Sequence, residues 1–329
     1  MKFGAIMTAR INFAAFVALA FASGAFAQGG NYPNKPIRWV IPFQPGGGTD
    51  MVARPVAARL TDRIGQQILY DNRGGGGGVI AGEIVANANP DGYTLLVAAV
   101  AVMTVTGSLQ KMPFDPIRDF IPITKFANVP NMLAARTAMP ISKVQEIVSY
   151  AKANPGKLRW ATSGTGSAGT MSMELFKLTT GIDVITIPYK GAGPALLGLL
   201  SNEADLMFAN PAVFMPHVKS GRLRGLASAS LERSVALPDM PTFNESGFPG
   251  FESQSWYGLA APARTPAAII ALWHKETVAV LGQPDIIARI TQDGGTPVGN
   301  TPQQFAREIR EETAKWAKVI KDAGLKTEK

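Results

Sequence analysis

Two runs of glycine and hydroxyl residues carry the side-chain types best suited to hold a small anion. They are Phe43-Gln44-Pro45-Gly46-Gly47-Gly48-Thr49-Asp50 and Ser163-Gly164-Thr165-Gly166-Ser167-Ala168-Gly169-Thr170. Each follows a short apolar segment of strand type and precedes a helical pattern; after the first run, Val52, Val56 and Leu60 recur at helical spacing. A glycine turn that feeds a helix leaves backbone N–H groups unpaired beside the positive end of the helix dipole, which suits a carboxylate. Thr49 or Asp50 is the expected N-cap of the first helix. Taken alone, the first run reads more simply as an ordinary strand-to-helix turn. Its repetition argues for more. Leu158-Arg159-Trp160 ahead of the second run echoes Ile37-Arg38-Trp39 ahead of the first, which predicts two similar lobes facing each other. If backbone groups hold the anion, Gly47→Val should weaken binding more than Thr49→Ala or Ser167→Ala. The rival arrangement is a cation clamp from Lys190 and Arg73.

Other chemistries fit the same residues less well. Gly164-x-Gly166-x-x-Gly169 matches the dinucleotide pattern, and Asp183 follows at a suitable distance. Asp183, however, precedes the next expected strand (184–188), whereas a ribose-binding acid belongs at its carboxyl end, where Tyr189 and Lys190 stand. Ser163 could serve an exported esterase-like hydrolase, but Ala161 replaces the first glycine of G-x-S-x-G. The chain has no cysteine, and its two histidines, His217 and His274, sit in no ligand or triad pattern. No cofactor and no metal are expected. Trp256 and Tyr257 are either ligand-stacking aromatics or parts of a packed hinge strand.

These residues need a scaffold of some size. With 329 residues, 46% hydrophobic and 17% charged, the chain is globular and long enough for two domains. Residues 1–27 have the layout of a secretory signal. Lys2 and Arg10 precede an apolar run, and Ala25-Phe26-Ala27 supplies a cleavage site, so export to the periplasm with Gln28 first is expected. The net charge is +8, of which Lys2 and Arg10 contribute two, leaving +6 spread without a basic block; a nucleic-acid partner is not expected. Strands are predicted at 68–70, 93–102, 158–162, 184–188, 204–208 and 254–261. Five consecutive glycines at 74–78 call for a sharp turn or a close backbone approach. Ser142-x-x-Gln145 should open one helix, and Thr301-x-x-Gln304 the last, with Phe305, Ile309, Trp316 and Ile320 inward.

Motifs along nearly the whole chain resemble those of the substrate-binding proteins of tripartite tricarboxylate transporters, the Bug family of extracytoplasmic solute receptors. The matching stretches are Tyr32-Pro33-x-Lys35-Pro36-Ile37-Arg38, Pro42-Phe43-x-Pro45-Gly46-Gly47-x-Thr49-Asp50, Pro90-Asp91-Gly92-Tyr93-Thr94-Leu95, Ala153-Asn154-Pro155-Gly156-Lys157-Leu158, Pro188-Tyr189-Lys190-Gly191, Ser255-Trp256-Tyr257-Gly258-Leu259 and Trp316-Ala317-Lys318-Val319. The resemblance implies an α/β fold of type II periplasmic-binding-protein kind, with two lobes, each a mostly parallel sheet flanked by helices, and a ligand cleft between them. Residues 28–128 and 255–329 would form a discontinuous first lobe and 129–254 the second, with crossovers near Val129 and Ser255. It implies a monomer that is not an enzyme. Its ligand would be a small mono- or dicarboxylate, captured for a tripartite transporter's membrane subunits or for sensing. Phe43 to Asp50, Ser163 to Thr170, Lys190 and Asn210 would hold the ligand. The chain departs from the family pattern at Val79, often Asn; at Thr170, often His; and over 99–106, with Met103 and Thr106 where polar residues are common. These departures tilt the expected ligand toward a less polar or aromatic carboxylate.

Overall fold

β1 (Ile37–Ile41) lies between two parallel neighbours, β2 (Ile68–Asn72) and β3 (Thr94–Ala99), so its sequence Ile-Arg-Trp-Val-Ile is largely apolar on both faces. The computed structural model describes residues 32–234 and 236–325, and the expected leader with its cleavage site falls outside them. The compact unit begins at Lys35. Two long strands, β4 (Phe120–Pro130) and β10 (Gln254–Pro262), pair antiparallel with each other, and β10 also pairs with β3. With β11 (Thr296–Pro297) at the edge, the first sheet runs β11-β4-β10-β3-β1-β2. The second sheet contains β5 (Met132–Arg136), β6 (Arg159–Thr162), β7 (Ile185–Pro188), β8 (Leu206–Ala209) and β9 (Leu223–Ser228), in the order β7-β6-β8-β5-β9. Each sheet is parallel among its strand–loop–helix units and antiparallel where a crossover strand joins it.

The chain passes between sheets at Asn131, which separates β4 from β5, and returns past Ser253 into β10. A knot of small polar side chains ties the two passages. The Asn131 amide donates to Ser172 Oγ at 2.9 Å, Ser255 Oγ donates to Asn131 Oδ1 at 3.1 Å, and Ser172 and Ser253 hydroxyls meet at 2.7 Å. Large aromatics fill the interior on either side. Trp39 stacks on Phe126 and tilts against Trp273 in one cluster, while Trp160, Phe208, Phe243 and Phe251 stack in another. Truncating any one of these to alanine costs about 3–5 kcal/mol by the usual response of buried aromatics.

The helices follow from the same sequence patterns. They are α1 (Gly48–Ile64), α2 (Val79–Ala86), α3 (Thr106–Leu109), α4 (Val144–Ala153), α5 (Ala168–Thr180), α6 (Ala192–Leu200), α7 (Pro211–Lys219), α8 (Ala267–Leu281), α9 (Pro284–Gln292) and α10 (Pro302–Asp322). The last begins with the expected reciprocal cap: Gln304 N–H donates to Thr301 Oγ1 at 3.2 Å, and Thr301 N–H donates to Gln304 Oε1 at 2.9 Å. Its Phe305, Ile309, Trp316 and Ile320 are buried. Two expectations shift. The run 93–102 is not one strand, because β3 stops at Ala99 and 101–105 wind into a π-helical turn leading to α3. A continuous apolar run cannot distinguish buried strand from buried helix by periodicity. At α4 the cap lies one residue later than expected, where Glu146, not Gln145, accepts from the N–H groups of Ser142 and Lys143.

Candidate ligand-binding site

Strand carboxyl ends from both sheets converge on a cavity of about 70 Å³. By water volumes that is room for several ordered waters or a small organic acid. Four helix starts contribute to its wall: Gly47, Gly48 and Thr49 at α1, Ser167 to Gly169 at α5, Gly191 and Ala192 at α6, and Asn210 at α7. Ala99, Val100 and Ala101 add the end of β3. Among the described residues, none that lines the cavity carries a formal charge. A carboxylate there would meet N–H dipoles and neutral donors only.

The first loop presents backbone. α1 starts at Gly48 with Gly47 as N-cap and no side-chain cap, so Thr49 and Asp50 lie inside the first turn and neither caps it. Phe43 and Thr49 line the cavity; Pro45 and Gly46 stand exposed at the loop tip, outside the wall. The Asp50 carboxylate turns back on its own loop, accepting from Gly46 N–H at 3.0 Å and from Asn72 Nδ2 at 3.2 Å while paired with Arg54 at 3.0 Å. It braces the loop and is not in the wall. Gly47 has φ −88°, and a Cβ there would meet only the Gln44 carbonyl oxygen at 4.0 Å, so the backbone does not require glycine there. Gly48 does: a Cβ would run into Asn210 Oδ1 and the Tyr257 hydroxyl.

The second loop presents hydroxyls. Ser167 caps α5, accepting from Thr170 N–H at 3.2 Å, and its Oγ meets Thr170 Oγ1 at 2.8 Å and Ser163 Oγ at 2.9 Å. Thr170 Oγ1 then donates to the Gly164 carbonyl at 2.8 Å. Ser163, Ser167 and Ala168 line the cavity, whereas Gly164, Thr165, Gly166 and Thr170 support it from outside the wall. The five-glycine segment comes close here. A Cβ at Gly77, φ +65°, would lie 2.9 Å from the Thr165 carbonyl oxygen. Ser163 has no histidine partner: His217 Nδ1 meets Arg222 at 2.7 Å and His274 Nε2 meets the Asn300 carbonyl oxygen at 3.2 Å. The esterase-like alternative therefore lacks its base.

Neither expected clamp residue is in the wall. Lys190 is exposed, next to the wall residue Gly191, and Arg73 is engaged with Asp71 at 2.7 Å. Asn210 is in the wall, and it is held from β10. The Tyr257 hydroxyl donates to Asn210 Oδ1 at 2.6 Å. Burial pushes the Tyr257 hydroxyl up to about 12. Asn210 Nδ2 is buried with no partner among the described residues. Trp256 also lines the cavity, and its indole N–H donates to the Glu312 carboxylate of α10. Burial raises Glu312, partly opposed by the Trp256 bond and by Lys125 and Lys315. Trp256, Tyr257 and the run from Phe43 stand out in the sequence, whereas Asn131, Ser255, Gly191, Ala192 and 99–101 join the wall without a sequence signal of their own. The pattern of strand ends feeding helices would have found Gly191 and Ala192.

Two mixed sheets joined by paired crossover strands, with a ligand-sized cavity at their strand ends, define a periplasmic-binding-protein-like receptor. The profile of the tripartite tricarboxylate transporter family receptor matches residues 52–325, and the chain belongs to that family of solute-binding receptors, which are not enzymes. Protein BugT of Bordetella pertussis is 34% identical over 297 residues, 90% of this chain and 91% of its own. The structure of R. palustris Rpa4515 with adipate is similar at TM-score 0.86 and 36% identity, covering 89% of this chain and 98% of that one. MatC (Rpa3494) from Rhodopseudomonas palustris, with bound malate, gives TM-score 0.83 and 33% identity over 88% of this chain and 100% of its own.

Proposed function

We propose that this chain captures a small carboxylate in the periplasm, after cleavage behind Ala27, and delivers it as a monomer to the membrane subunits of a tripartite tricarboxylate-type transporter. The observation that carries the reading is a cavity wall of helix starts and neutral donors without a formal charge. Such a wall favours an anion while leaving specificity to shape and hydrogen bonding. The relatives' adipate and malate support the carboxylate class. Ala99, Val100, Ala101, Phe43 and Trp256 give part of the wall an apolar character, which favours a ligand with a less polar or aromatic body. Residues 28–128 with 255–329, and 129–254, act as two lobes that close by motion at the crossovers beside Asn131 and Ser255.

A thermal-shift screen of mono- and dicarboxylates, aliphatic and aromatic, tests this reading. A ligand at a hundred times its dissociation constant stabilises by about 2.7 kcal/mol, a clear rise in melting temperature. Should none of these acids shift the transition, while amides or sugars do, the carboxylate reading is wrong.

A further inference from the structure

Asn210 joins two observations that the carboxylate reading leaves unused. The residue is 7% exposed and stands in the cavity wall, and its Nδ2 has no partner among the described residues. An orphaned buried donor is costly, so its natural complement is an acceptor supplied by the ligand. Its other end is occupied, because Tyr257 donates to Oδ1 at 2.6 Å. An asparagine amide can present either oxygen or nitrogen to a ligand, and the choice is made by whatever holds its far side.

Tyr257 is well placed to make that choice. It sits on β10, in the first sheet, while Asn210 follows β8 in the second. Burial pushes its hydroxyl up to about 12, so at neutral pH the phenol keeps a proton to donate. The Tyr257 O–H is directed at Asn210 Oδ1, 2.6 Å away, and the Ser255 hydroxyl donates elsewhere, to Asn131 Oδ1. Gly48 permits the contact, since a Cβ at that position would run into both Asn210 Oδ1 and the phenol oxygen.

Resting on the carboxylate reading above, we infer that Tyr257 is the positioning residue that turns the Asn210 amide donor-first into the cavity, making the site select an ionised carboxylate over its neutral primary amide. A carboxylate offers acceptors only and matches Nδ2. A primary amide placed the same way can bring its own N–H₂ against Asn210 N–H₂, leaving two buried donors facing each other. Without the phenol, Asn210 is free to turn its oxygen inward and accept from an amide.

Calorimetric titration of three matched pairs tests the inference: adipate with adipamide, malate with malamide, and benzoate with benzamide. For the acid that binds, the wild-type chain should prefer the carboxylate by about a hundredfold, and Tyr257→Phe should reduce that preference by about tenfold. A merely structural role for Tyr257 would weaken acid and amide together, so an unchanged ratio in a folded Tyr257→Phe variant overturns the inference. The wild-type arm needs no variant: equal affinity for acid and amide also overturns it, with the carboxylate reading intact. Failure of every acid of the thermal-shift screen, these three included, removes that reading and this inference together.

Discussion

The two strand–loop–helix units at the cavity follow one plan and solve its ends differently. At α1 the cap position is Gly47, no side chain caps the helix, and the nearby carboxylate of Asp50 is turned away into a brace with Gly46, Asn72 and Arg54. At α5 Ser167 caps the helix and continues as a hydroxyl relay from Thr170 to Ser163. The first unit leaves backbone N–H groups available; the second uses one of them internally and offers hydroxyls instead. A loop that must present bare backbone needs stiffness from elsewhere, and in the first unit an ion pair supplies it.

The sharpest way to break the first unit is at Gly48. Gly48→Val forces Asn210 and Tyr257 apart, and overpacking of this kind costs about 3 kcal/mol when no flexible side chain can yield. Ligand-induced stabilisation should vanish in a melting experiment, while Gly47→Val, whose Cβ would meet only the Gln44 carbonyl oxygen at 4.0 Å, should lose less. Equal loss in both variants would mean that the turn, not the Asn210–Tyr257 contact, limits the site.

The brace comes next. Asp50→Ala removes the partner of Arg54 and Asn72 and should cost about 1–2 kcal/mol, less than a buried pair because Arg54 and the Gly46 N–H can turn to water. Chemical denaturation should show this loss with ligand absent. A near-neutral result would mean that the glycines hold the loop without help.

Smaller again is the cap of the second unit. Ser167→Ala should cost about 1 kcal/mol in stability, as helix caps do, and should also weaken binding by releasing Ser163 from its 2.9 Å partner. Thr49→Ala, at the uncapped helix, should leave stability nearly unchanged and affect binding through its place in the cavity wall. If the two variants behave alike in denaturation, the contrast between the loops fails.

Much of this was legible beforehand because it rests on local chemistry. Glycine and hydroxyl residues between a strand pattern and a helix pattern pointed to both units, and Ser163, Ser167, Gly47, Gly48 and Thr49 do reach the cavity. Asp50 was misjudged as a cap because Asp and Thr at a helix start usually cap; here glycine takes the position, and the carboxylate finds Arg54 one turn on. Ala99 to Ala101 were hidden in an apolar run whose change from strand to helix carries no periodic signal. The pairing of Asn210 with Tyr257 was out of reach, since it joins the ends of β8 and the middle of β10 across two sheets. Only a resemblance pointed to Asn210, and nothing local pointed to the orientation of its amide.

The central claim is that neutral donors, and not a cation, hold the carboxylate. The direct test is calorimetric titration of the double variant Lys190→Ala/Arg73→Ala with the best acid from the thermal screen, at neutral pH and moderate salt. Lys190 is exposed beside the wall and Arg73 is paired with Asp71, so affinity should stay within about threefold of wild type. A loss of about a hundredfold, the size expected when a charge-assisted bond to a bound carboxylate is removed, would contradict the account.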